Sequence, residues 1–169
     1  MKAISWFVNV GLLPEQPESQ DSPVPISVLD HQYRDKRRQL ARSQGHHGRP
    51  CLLVDILCQD IGDDLIKSFQ KSGGTGSYPP PSLHSLITIF LSESPASAKL
   101  RLVQYFFLDL AHLLPQDQFP ELVDSLIKFP SAFSLPPSLI KLTQAFWLLD
   151  HGEFEDAMAM LLDPLVVPR

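Results

Sequence analysis

Residues 146–164, FWLLDHGEFEDAMAMLLDP, hold the end of one helix, a tight turn and the start of another. Phe146, Trp147, Leu148 and Leu149 close an apolar stretch that begins at Leu139. Gly152 follows, where left-handed backbone just past a helix end costs a glycine nothing. Glu153, Glu155 and Asp156 then crowd a new first turn, and carboxylates suit the positive end of a helix dipole. Phe154, Ala157, Met158 and Leu161 recur at i, i+3, i+4 and i+7, which predicts an inward-facing helical stripe. Pro164 stops it. The unit is an antiparallel helical hairpin, the element from which helical bundles and helical repeat proteins are built.

Reading outward from that hairpin gives more helices and no strands. Pro50 opens a long helix with Val54, Cys58, Ile61, Leu65 and Phe69 along one side. Residues 72–81, SGGTGSYPPP, break it and form a loop, because three prolines force an extended chain. Leu83, Leu86, Ile87, Phe90 and Leu91 make the next stripe. Ser94-Pro95 starts a helix running to about Leu114. It is apolar almost all round (Leu102, Val103, Tyr105, Phe106, Phe107, Leu108, Leu110), which makes it the buried centre. Phe119, Leu122, Val123, Leu126 and Ile127 form another stripe, and FPSAFSLPPS at 129–138 reads as a link to the opening hairpin. Upstream, Ala3, Trp6, Val10 and Leu13 suit a first amphipathic helix. Residues 14–28 are a Pro-, Ser- and acid-rich loop, and 29–43 is a surface helix with a thin seam of Leu29, Tyr33 and Leu40. No segment alternates with period two. The expected fold is all-α, an irregular, α-solenoid-like stack of helical hairpins forming one domain over 1–169, with Phe107 and Trp147 as core anchors.

Composition narrows the function. With 44% hydrophobic and 20% charged residues in 169, the chain can bury a core, and its net charge of -5 argues against nucleic acid covering the whole surface. Cys51 and Cys58 lie about 10 Å apart along one predicted helix, too far to bridge each other, and free thiols suit a reducing compartment. Gln104, Asp109 and His112 interrupt the greasiest segment, so no membrane span is expected. MKAISWFVNVGLL at 1–13 imitates a signal peptide but has Ser5 and Asn9 inside its apolar run and no small-residue cleavage site.

Chemistry-bearing patterns are sparse. GGTG at 73–76 lacks the Lys-Ser/Thr of a phosphate loop and a strand before it. His46, His47, Cys51 and Cys58 have no metal-site spacing, and Cys58 faces the predicted core. Asp109 with His112, and Asp150 with His151, have no nucleophile to act on and read as satisfied polar groups at helix ends or seams. No enzyme, cofactor or small-molecule substrate is expected. Six of the fourteen basic residues (Arg34, Lys36, Arg37, Arg38, Arg42, Arg49) fall within one short run. GRP at 48–50 resembles an AT-hook core, yet His47 stands where a hook needs arginine. The run suits a solvated face or an acidic protein partner, with DNA contact as the alternative.

Three stretches carry a family resemblance: AISWFVNVGLLPE at 3–15, GTGSYPPPSLH at 74–84, and FPSAFSLPPSLIKLTQAFWLLDHGEFEDAMAMLLDP at 129–164. In order and over most of the chain, they resemble the α-helical region of the ELYS family. That resemblance implies a nuclear, non-enzymatic scaffold segment at the nuclear envelope. It would contact the Y-shaped scaffold subcomplex of the nuclear pore, with chromatin as a further, indirect partner. The family's β-propeller and AT-hook tail have no counterpart in these residues, so its chromatin-binding positions are not carried over. The resemblance also implies that the stack continues past the final hairpin. The chain is then a fragment or short product, and Met160, Leu165, Val166 and Val167 are expected to form a stacking surface.

Overall fold

The computed structural model describes residues 53–71, 83–113, 117–118, 120–164 and 166, and every regular element among them is a helix. These are α1 (Leu53–Ile61), α2 (Asp63–Lys71), α3 (Leu83–Phe90), α4 (Ala96–Leu113), α5 (Pro120–Ala132), α6 (Pro137–Asp150) and α7 (Phe154–Leu161). The all-α expectation is met. The expected helices at 3–13 and 29–43, the loops 14–28 and 72–81, and the basic run from Arg34 to Arg49 lie outside the described residues.

Each helix packs against the next one in sequence, as a chain of hairpins requires. Two further facts shape the stack. The first is that α4 also packs on α1 and α6, and the second is that α1 packs on α6. The centre is therefore a layer of α1, α4 and α6, with α2, α3 and α5 around it and α7 resting on α6. Leu102, Val103, Tyr105, Phe106, Phe107 and Leu110 of α4 are all buried, so this helix is the core its composition promises. Val54, Leu57, Ile61, Leu65 and Phe69 cover it from α1 and α2, Leu86, Ile89 and Phe90 from α3, and Leu122, Val123, Leu126 and Phe129 from α5.

The expected long helix from Pro50 is in fact two. Gly62 adopts φ +90°, its N–H donates to the Cys58 carbonyl, and its own carbonyl accepts from Leu65 N–H. Asp63 and Asp64 then occupy the first turn of α2. A Cβ at Gly62 would meet nothing within 4 Å, so only backbone strain opposes a side chain there. Gly62→Ala is accordingly expected to cost about 1 kcal/mol, measured as a shift of the urea midpoint at unchanged slope.

The segment 129–138 is also different from the expected link. Helix α5 continues through Pro130 to Ala132 and ends where Ser134 takes φ 61°. Proline removes one backbone donor, but Phe129 is fully buried and Phe133 packs against the same core, and that burial keeps the turn helical. Two residues of the predicted stripes, Leu91 and Ile127, face outward, while Ile89 and Phe129 are buried in their place.

Candidate functional site: a polar seam and an uncovered helix face

From Arg101 onward, one line of polar side chains runs along an otherwise apolar α4. Arg101, Gln104, Tyr105, Asp109 and His112 follow helical spacing and face α6 or its C-terminal cap. The Arg101 Nε–H donates to Thr143 Oγ1 at 3.0 Å, and the guanidinium lies over the Phe146 ring, 5.1 Å from its centroid. Burial lowers the Arg101 pKa from its ordinary value, partly offset by the Asp60 carboxylate. Gln104 Nε2 donates to the Ile140 carbonyl at 3.0 Å.

Two buried aspartates close the seam. Asp150, at the last position of α6, accepts the N–H groups of Leu53 (2.8 Å) and Val54 (3.1 Å) and the Tyr105 hydroxyl (2.7 Å). A carboxylate at a helix C-terminus is unfavourable in its own helix. Here it meets the N-terminus of α1, whose first N–H groups need acceptors, so one side chain joins α1, α4 and α6. Asp109 accepts Trp147 Nε1–H at 2.6 Å and lies 3.2 Å from His151 Nε2. His151 stacks on Trp147, with ring centroids 3.9 Å apart, and its Nδ1 is 2.7 Å from the Trp147 carbonyl oxygen.

That geometry decides what the Asp109–His151 pair can do. In a catalytic pair one ring nitrogen faces the carboxylate and the other faces the group it deprotonates. Both nitrogens of His151 are occupied by acceptors of the fold. The pair holds the end of α6 to α4, joining two residues that the sequence reading places in different pairs. Trp147, expected to be a core anchor, sits half-buried at the core's edge with its indole nitrogen committed to Asp109. Phe107 is fully buried as expected.

The last helix turns differently from its predicted stripe. Ala157 is fully buried and Leu161 half-buried, but Phe154 and Met158 are 59% and 53% exposed, and Leu162 beyond them is 69% exposed. Phe154, Met158 and Leu162 are four residues apart, so they form one uncovered row. Of the expected stacking residues, Met160 and Val166 are half-buried, Met160 lying nearly opposite Met158 on the helix, and Leu165 and Val167 fall outside the described residues. Lys141 of α6 pairs with Asp163 and fixes the chain after α7. Among the described residues no group of His, Cys, Asp and Glu could hold a metal, and no helix is long and apolar enough to cross a membrane.

The described residues form a layered all-α unit whose polar seam is paired within the fold except at Arg101 Nη2 and Gln104 Oε1, with one apolar row left uncovered. The comparisons supply its family. The sequence model of the ELYS family, described as nuclear pore complex assembly, matches residues 51–169. Protein ELYS of Xenopus laevis is 35% identical over 95% of the chain, and Protein ELYS of Homo sapiens 32% identical over 96%. The chain belongs to the ELYS family. It spans 7% of the length of each of these relatives.

Proposed function

We propose that this chain is a non-enzymatic helical scaffold segment that contributes protein–protein contacts to nuclear pore complex assembly at the nuclear envelope, its partners being subunits of the Y-shaped scaffold subcomplex. The observation that carries the reading is the extent of the family match, which runs over residues 51–169 and so takes in all seven of the described helices. The polar groups along α4 and α6 supply no nucleophile–base pair for a reaction, which favours a binding role. The basic run from Arg34 to Arg49 supports a second reading, contact with DNA or chromatin, because its six cations can displace counterions from phosphates.

Affinity purification of the tagged chain from nuclear extract, with mass spectrometry, tests the first reading. Nuclear pore scaffold subunits are the expected co-purifying proteins, and their absence with a folded bait overturns it. A salt series on duplex DNA tests the second. Weak retention, lost at physiological salt, is expected. Tight retention there that vanishes in Arg37→Ala/Arg38→Ala would put DNA contact first.

A further inference from the structure

We propose that the row of Phe154 and Met158 on α7 and Leu162 at its C-cap docks an amphipathic helix of a partner protein whose apolar seam is flanked by lysine or arginine. The inference rests on the scaffold reading above and adds the face and the chemistry of the partner. The row is the largest uncovered apolar feature among the described residues. The other exposed large apolar residues (Ile56, Ile66, Leu91, Ile127) are single residues on four different helices or turns. An i, i+4, i+8 row spans about 12 Å, two turns of a helix, which matches the anchor spacing by which one helix recognises another.

Charge selects the occupant. No lysine or arginine occurs between Lys141 and Arg169, whereas Asp150, Glu153, Glu155, Asp156 and Asp163 all do. Asp150 is buried in the α1–α4–α6 junction and Asp163 is paired with Lys141. That leaves Glu153, Glu155 and Asp156, all exposed, and none of the ion pairs among the described residues uses them. Glu155 adjoins the row directly. Glu155 and Asp156 also suit the N-terminus of α7, but that role needs no apolar row beside it. A second copy would bring two net-negative surfaces together, so like-charge repulsion disfavours it. A helix with basic flanks gains on both counts, its seam against the row and its cations against the carboxylates.

The test uses the full 169-residue chain and two fluorescein-labelled amphipathic helical peptides with the same leucine seam, one flanked by lysine and one by glutamate. Anisotropy at physiological salt is expected to show the lysine-flanked peptide binding at least tenfold more tightly. Met158→Asp is decisive because it removes an anchor while adding a negative charge. Docking on the row predicts at least a tenfold loss, whereas diffuse attraction to an acidic protein predicts equal or tighter binding. Ile127→Asp, an equally exposed site on α5, should change nothing. Met158→Asp is expected to melt with the parent; should it not, Phe154→Ser gives the same reading. Equal binding of the two peptides, or undiminished binding to Met158→Asp, overturns the proposal. So does a dimer in sedimentation that Met158→Asp dissolves. If the parent chain and Met158→Asp recover scaffold subunits from nuclear extract equally, this surface is wrong and the scaffold reading stands. If the parent recovers none, the scaffold reading falls, and the peptide data alone decide the surface.

Discussion

Asp150→Ala lowers the stability of the chain by about 3–5 kcal/mol, because it strands three donors at once. Leu53 N–H, Val54 N–H and the Tyr105 hydroxyl all point at this one carboxylate, which is 3% exposed. Water cannot enter freely to replace it, and α1 loses the acceptor for its first turn. The expected drop in melting temperature is roughly 10–20 °C. Asp150→Asn separates charge from hydrogen bonding. Its amide keeps one acceptor but turns an N–H₂ toward a backbone N–H, so about half of the loss should remain. Tyr105→Phe removes a single partner and should cost about 1–2 kcal/mol. Adding the double variant Tyr105→Phe/Asp150→Ala completes a cycle, and its non-additivity measures the coupling of positions 105 and 150 directly. An Asp150→Ala melting curve within a few degrees of the parent would mean that α1 is held by its apolar face alone.

The importance of Asp150 was not visible in the sequence, since its backbone partners lie 96 and 97 residues away. The turn beside it was. A glycine followed by acidic residues ended one helix and began another at 152–156, and the same grammar stands at Gly62-Asp63-Asp64, where the apolar stripe from Val54 to Phe69 concealed it. Periodicity survives a one-residue turn when both helices face the same core, so the stripe could not reveal the break. In α4 the polar residues follow helical spacing from Arg101 to His112. Read only as interruptions of an apolar run, they exclude a membrane span; read as a line, they mark the face that meets α6. Helix α7 was indeterminate for a different reason. Of its eight residues only Glu155 and Asp156 are polar, so apolar residues cover most of its circumference and spacing cannot choose which of them turn inward. Packing on α6 makes that choice, burying Ala157 and leaving Phe154 and Met158 outside. The family was legible because the stretches that carry the resemblance, GTGSYPPPSLH and the final hairpin among them, can be read in order along the chain. The side chains of the uncovered row became distinguishable only in three dimensions.

Phe129→Ala is the second large effect, expected at about 3–5 kcal/mol. Sequence placed Phe129 in a linker, on the evidence of Pro130 beside it. In the fold its ring is fully buried and stands 4.9 Å from Phe107 at 82°, an edge-to-face pair, with Phe133 at 4.7 Å and Phe90 at 6.0 Å. These four rings join α3, α4 and the end of α5. Truncation therefore removes the ring's transfer free energy and leaves a cavity between rigid helices that cannot close fully. It also removes the reason for α5 to stay helical through a proline. Two consequences follow that a simple cavity would not produce. Hydrogen exchange should quicken at Phe133 and Leu135, whose N–H groups donate to the Phe129 and Pro130 carbonyls. Exchange in α1 should slow or hold relative to α5, because Asp150 still anchors it. Phe129→Leu, which refills much of the volume without the ring, should recover more than half of the loss. If Phe129→Ala instead destabilised by less than about 1 kcal/mol, typical of a surface site, residues 129–138 would be the linker that their prolines suggest, and α5 would end before Phe129.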